Sequence, residues 1–138
     1  MMTAHLQEAV RAAQDRKAID LDILNLQGIC AFTDYFVICS GSSTRHMQAI
    51  CDAILEELEK SGVSPSHVEG GGKAEWILLD YLDFVVHIFS ERSRQFYDLN
   101  RLWKSAVKVK REELGIENSE VETQQLKIKN SKLENNEP

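Results

Sequence analysis

The stretch WILLDYLDFVVHIF, Trp76 to Phe89, carries two short apolar runs on either side of Tyr81-Leu82. Runs of this length, rich in aliphatic and β-branched residues, read as the strands of a tight hairpin. With Tyr81-Leu82 as a two-residue turn, Asp80 faces Asp83, Leu79 faces Phe84 and Leu78 faces Val85. Ile77 then faces Val86, and Trp76 faces His87. Side chains alternate between the two sides of a strand. Ile77, Leu79, Phe84 and Val86 therefore share a wholly apolar face, expected to lie against helices. Trp76, Leu78, Asp80, Asp83, Val85 and His87 share the other. That mixture is too polar for a core and too apolar for plain solvent. A Trp among aliphatics, ringed by charge, has the composition of a protein interface. Two coverings fit it: a partner, or a further helix of the same chain with His87 hydrogen-bonded inside. Leu82 fits the turn poorly, because two-residue turns favour Gly or Asn where φ is positive. A longer turn shifts the pairing.

Outward from the hairpin, residues 3–17 read as a helix with Leu6, Val10 and Ala13 on one face. DLDILNL, 20–26, alternates Leu21 and Ile23 against Asp20 and Asp22, as a half-buried strand does. DYFVICSG, 34–41, is denser in apolar residues and reads as a central strand covered on both sides. Ser42, Ser43 and Thr44 offer caps for a helix running to about Lys60, with Met47, Ile50, Cys51, Ile54, Leu55 and Leu58 at helical spacing. VEGGGKAE reads as a flexible approach to the hairpin, and SERS as a linker after it. A last helix then carries Phe96, Leu99, Leu102, Trp103 and Ala106 and ends before Gly115. The order α-β-β-α-β-β-α predicts a single α/β (α+β) domain over residues 1–114, a small mixed sheet packed with helices. Residues 115–138 are polar, with few bulky apolar groups, and read as a disordered tail.

The totals limit the function. The chain has 138 residues, 43% of them apolar, and a net charge of −6. Acidity argues against broad electrostatic binding to nucleic acid, which needs Lys and Arg to replace counterions. It suits a basic protein partner. No run approaches the ~20 apolar residues of a membrane span. The start of the sequence has no apolar segment and no Arg-rich, Ser-rich leader, and a bacterial cytoplasmic setting is expected. Cys30, Cys39 and Cys51 lack CxxC spacing and read as reduced thiols.

Chemistry finds little to stand on. EGGGK, 69–73, fails the phosphate-loop pattern, because His67 and Ala74 stand where it needs Gly and Ser or Thr. CSGSS, 39–43, joins a strand to a helix start, as nucleotidyltransferases do to hold a triphosphate. Those enzymes also need an Asp pair for two metals. Asp20 and Asp22 have that spacing but precede the turn, and Asp80 and Asp83 flank a turn. His5, His46, His67 and His87 form no ligand pattern. No cofactor, metal or catalytic residue is expected; a small nucleotidyltransferase or nucleotide-binding domain using the Gly-Ser turn at 41–43 is the alternative.

DYFVICSGSSTRHMQAI at 34–50, EG at 69–70, the hairpin at 76–89 and RQFYDLNRLW at 94–103 together resemble the ribosomal silencing factor family, also called Iojap-like. The family pattern has Gly where Leu82 stands, and usually Glu where Asn100 stands. The resemblance implies a nucleotidyltransferase-like fold without the catalytic carboxylates, and no enzymatic activity. It implies a translational repressor that binds the large ribosomal subunit through the fourteenth large-subunit ribosomal protein. That position blocks joining with the small subunit and lowers translation when nutrients are scarce. Organelle members assist large-subunit assembly, and members often form homodimers in isolation. Trp76, Asp80, Asp83 and His87 match family positions, as do Tyr97, Leu99, Leu102 and Trp103. Trp76 and Leu78 are the expected apolar anchors, Tyr81 and Leu82 contacts at the tip, and Asp80 and Asp83 partners for basic groups. His87 is expected among the binding residues, and Tyr97, Leu99 and Trp103 in the core.

Overall fold

A computed structural model of the chain describes residues 2–102 and 107–109. Its elements are α1 (Met2–Asp15), β1 (Ile19–Asn25), β2 (Tyr35–Gly41), α2 (Thr44–Lys60) and β3 (His67–Glu69). They continue with β4 (Trp76–Asp80), β5 (Phe84–Ser90), α3 (Glu91–Tyr97), α4 (Leu99–Leu102) and β6 (Val107–Lys108). The strands form one mixed sheet in the order β3-β4-β5-β2-β1-β6. Among the described residues, only the central pair, β2 with β5, is parallel. The expected tail at 115–138 lies outside the described residues, as do Trp103 and Ala106.

Each face of the sheet has its own core. On one, Leu6, Val10 and Ala13 of α1 and Met47, Ile50, Ile54 and Leu58 of α2 cover Ile23, Val37, Leu79 and Val86. Each fully buried Leu or Ile contributes about 1.5–3 kcal/mol. Leu24, Leu26, Phe36, Ile38, Val85, Phe89 and Leu99 form the smaller core on the other face. The helix α2 starts where its caps predict: Ser43 Oγ accepts the His46 N–H at 3.0 Å. All three cysteines are free. Burial pushes the Cys39 thiol up to about 12 and the Cys51 thiol up to about 11, so both stay protonated. Among the described residues, no helix is long and apolar enough to cross a membrane.

Four expectations are corrected. The hairpin pairs Asp80 with Val85, Leu79 with Val86, Leu78 with His87 and Trp76 with Phe89. This register is two residues away from the expected one, so every side chain keeps its face. The turn residues are Leu82 and Asp83, closed by Tyr81 N–H donating to the Phe84 carbonyl at 2.9 Å. VEGGGKAE does not run free: His67–Glu69 pairs antiparallel with β4 as an edge strand. The chain then turns at Gly70, where φ is +90° and a Cβ would stand 2.4 Å from the Trp76 carbonyl oxygen. SERS is no linker, because Ser90 caps α3 by accepting the Ser93 N–H at 3.0 Å. The last helix breaks at Asp98, whose φ of 24° no α-helix holds, and Val107–Lys108 pairs with β1 as a strand.

Leu82 has φ 74°, the conformation that favours the glycine of the family pattern. Its N–H donates to Asp80 Oδ1 at 2.8 Å, and this holds the turn in place. Left-handed backbone costs a non-Gly residue roughly 1–2 kcal/mol, and Gly loses about 0.5–1 kcal/mol more in chain entropy. Leu82→Gly is therefore expected to raise stability by up to ~1 kcal/mol in chemical denaturation. An unchanged or lowered midpoint would show that Leu82 is not strained.

Candidate functional site: the outer face of the hairpin

Burial falls steadily across the second face of the sheet. At its middle, Val85, His87 and Phe89 of β5 are buried. One strand out, Trp76, Leu78 and Asp80 of β4 are half-buried, with the core face of that strand closed. At the edge, all of β3 is exposed, and its His67 and Glu69 stand beside Asp80 and Leu78. The ring of His67 and the carboxylate of Glu69 pair at 2.6 Å. The result is an apolar strip of Trp76 and Leu78 with acid at its border.

One half of this face is covered by the chain itself. The helix α3 is pinned down at two places. Glu75 Oε1 accepts the hydroxyls of Ser90 and Ser93 at 3.1 and 3.2 Å, and Oε2 accepts Arg92 at 2.7 Å. The hydrogen bond from Arg92, followed by those from the two serines, holds the Glu75 carboxyl below its ordinary range. Arg94 reaches across the sheet to Ser40 Oγ at 3.2 Å and Asp22 Oδ2 at 3.1 Å. Asp22 also meets Lys108 at 3.3 Å. Anchored so, α3 lays Tyr97 on Trp76 with ring centroids 4.6 Å apart. Phe89 lies 4.8 Å from Trp76, and Phe96 meets Tyr97 edge-on at 4.9 Å. A series of rings thus runs from buried Phe89 through half-buried Trp76 to Tyr97, 43% exposed, and Phe96, 79% exposed.

The expected site residues divide. Trp76, Leu78 and Asp80 lie together on the face, and Leu82 and Asp83 are exposed at the turn. Tyr81 is turned the other way, 7% exposed and stacked on Phe84 at 5.1 Å, with burial pushing its hydroxyl up to about 12. It is a core residue, not a tip contact. His87 is 4% exposed and meets the face only through Trp76, whose Nε1–H donates to His87 Nδ1 at 3.1 Å. Leu99 is in the core as expected, whereas Tyr97 is exposed. Sequence reading missed His67 and Glu69 as neighbours of the site, because a three-residue edge strand has no apolar pattern to announce it. It also missed Phe32, 72% exposed in the β1–β2 loop. That loop ends against the hairpin turn, where Asp34 N–H donates to the Asp83 carbonyl at 3.1 Å.

The Gly-Ser turn of the nucleotide-binding alternative is occupied from within. Ser42 N–H donates to His46 Nδ1 at 2.8 Å, and His46 Nε2–H donates to the Arg16 carbonyl at 2.7 Å. These bonds tie the turn to the residue that follows α1 and spend an amide that an anion would need.

Burial lowers the His87 imidazole from the usual 6.5 to about 4. The unfolded chain therefore binds more protons between those two values, and stability rises with pH there. This contribution is whole above pH 6.5 and lost as pH falls through 4, on the order of 3 kcal/mol in total. In His87→Leu that part of the pH dependence is expected to vanish from denaturation midpoints. An unaltered slope would show that His87 is not buried neutral.

Comparison with known proteins agrees with this architecture. The profile of the family described as "Ribosomal silencing factor during starvation" matches residues 2–137. "Ribosomal silencing factor RsfS" of Halalkalibacterium halodurans is 38% identical over 107 residues, covering 78% of this chain and 92% of that protein. The mouse protein named "Mitochondrial assembly of ribosomal large subunit protein 1" is 30% identical over 97 residues, covering 68% of this chain and 42% of that one. A crystal structure of a Chromobacterium violaceum protein superposes with a TM-score of 0.73 at 27% identity, covering 75% of this chain and 87% of that one. The match along nearly all the chain, on a fold already seen in a solved structure, makes this protein a member of the ribosomal silencing factor family.

Proposed function

We propose that this silencing factor lowers translation by seating the outer face of its hairpin on the large ribosomal subunit. Its contact there is the fourteenth large-subunit ribosomal protein, and its bulk keeps the small subunit from joining. The observation that carries this reading is a half-buried Trp76 beside Leu78 on a sheet face that α3 covers only in part. A large aromatic at the centre of an apolar strip is what most often dominates binding energy. Asp80 and Asp83, with Glu69, set negative charge around it, and the whole chain carries −6. That complements a basic ribosomal protein and speeds encounter. The mouse relative's name also points to the large subunit. The action is occlusion in the cytoplasm, without catalysis, cofactor or nucleotide.

Co-sedimentation with isolated large subunits tests it. The protein is expected to travel with large subunits and to exclude added small subunits. Trp76→Ala, still folded, is expected to lose at least ~2 kcal/mol of binding, roughly thirtyfold in affinity. Undiminished binding by that variant would remove the hairpin from the contact.

Charge gives a separate prediction. Asp80→Asn keeps the Oδ1 acceptor that holds Leu82 while removing the charge. Together with Asp83→Asn it is expected to slow association and flatten its salt dependence, leaving dissociation nearly unchanged. An association rate indifferent to both changes would take the acidic border out of the account.

A further inference from the structure

We propose that His87 is a positioning residue for Trp76, and that it commits the partner to offering Trp76 an apolar pocket. This rests on the reading of the hairpin face as the ribosome-binding surface. An indole has one polar atom, and that atom can only donate. The Nε1–H of Trp76 donates to His87 Nδ1 at 3.1 Å. The imidazole must therefore be neutral with its proton on Nε2. That nitrogen is buried and has no hydrogen-bond partner.

His87 is thus held at a cost. A buried donor without an acceptor is destabilising, and so is desolvation of an imidazole. The surroundings are apolar: Phe36 lies 4.4 Å from the His87 ring, and Ile38 is its neighbour on the parallel strand. Leu in this place would bury no polar atom of its own. What His supplies and Leu cannot is an acceptor for Trp76. The rings of Phe89 and Tyr97 hold the plane of the indole, at 35° and 45° to their own. Ring stacking does not by itself distinguish the indole from its flipped form. The hydrogen bond does, because it turns the N–H inward. With its one polar atom spent inward, what the half-buried Trp76 offers a partner is carbon. A pocket lined by aliphatic groups fits that surface, and a carbonyl placed to accept from the indole does not.

Two substitutions of nearly equal shape separate positioning from plain structure. His87→Leu removes the acceptor, and His87→Asn keeps an oxygen close to where Nδ1 stands. In the wild type, the Trp76 indole proton, assigned by its disappearance in Trp76→Phe, is expected to exchange slowly with solvent. In His87→Leu it is expected to exchange faster, with stability equal or higher at neutral pH and affinity for large subunits lower by about tenfold. His87→Asn, which buries an amide, is expected to be less stable yet to bind more tightly than His87→Leu. Stability and affinity moving in opposite directions is a result that a merely structural role does not give. A folded His87→Leu with a protected indole proton and wild-type affinity, beside a Trp76→Ala that does not bind, overturns the positioning role alone. So does a His87→Leu chain that fails to fold, or rapid indole exchange in the wild type. Normal binding by Trp76→Ala overturns the reading of the face instead.

Discussion

The parallel pairing of β2 with β5 is the constraint from which the rest of the molecule follows. Seven residues of each strand are in register, from Tyr35 beside Phe84 to Gly41 beside Ser90. Two parallel neighbours cannot be joined by a tight turn, so the chain must leave the sheet and return. The helix α2 makes that excursion and covers one face. Both strands are then buried on both sides along nearly their whole length. Polar groups there are costly, and two of them find partners within the chain: Ser40 is met by Arg94, and one nitrogen of His87 by Trp76. The hairpin turn places β4 outside this centre, and β3 beyond that. A side chain's depth on the outer face is set by how many strands lie between it and the middle.

The parts of the fold legible in sequence were those where burial writes a pattern. The dense run at β2, the helical spacing of Met47 to Leu58 and the alternation of the hairpin all came from apolar surface seeking cover. The hairpin register was wrong by two residues, yet the faces were right. Alternation has a period of two, and a slip of two leaves it intact. The elements missed were those that burial does not mark. His67–Glu69 is exposed throughout and is a strand only because β4 offers backbone groups to pair with. The break at Asp98 depends on local dihedrals that a helical spacing of apolar residues does not reveal.

The candidate site was legible to the same degree and for the same reason. Alternation put Trp76, Leu78 and Asp80 on one face, which is where they are. Taking Tyr81-Leu82 as the turn put Tyr81 at the tip, but Tyr81 shares the parity of Ile77 and Leu79 and follows them into the core. Alternation placed His87 on the same face as Trp76 correctly, but parity carries no depth. One strand further in, the same face lies beneath the side chains of its neighbours. Tyr97 erred in the other direction: helical spacing suggested core, and the end of α3 one residue later leaves the ring half out of it.

The strand-turn-helix junction at Gly41–Ser43 is held by the chain's own groups. The open amides of such a junction attract anions. Here His46 accepts from one of them and anchors its other nitrogen on the Arg16 carbonyl just past α1, so the junction links the start of α2 to the end of α1. On the opposite side of the sheet, by contrast, polar groups stand at the surface with capacity to spare. Asp80 spends one oxygen on the turn, and Asp83 contributes only its carbonyl to the neighbouring loop. The molecule ties down its strand-turn-helix junction with its own groups and leaves Trp76 half-buried and bordered by carboxylates. Charge of that kind governs how fast a basic surface is found, while a desolvated indole governs how long it is kept. On the proposed reading, silencing depends on the second property, because a blocker of subunit joining works only for as long as it stays bound.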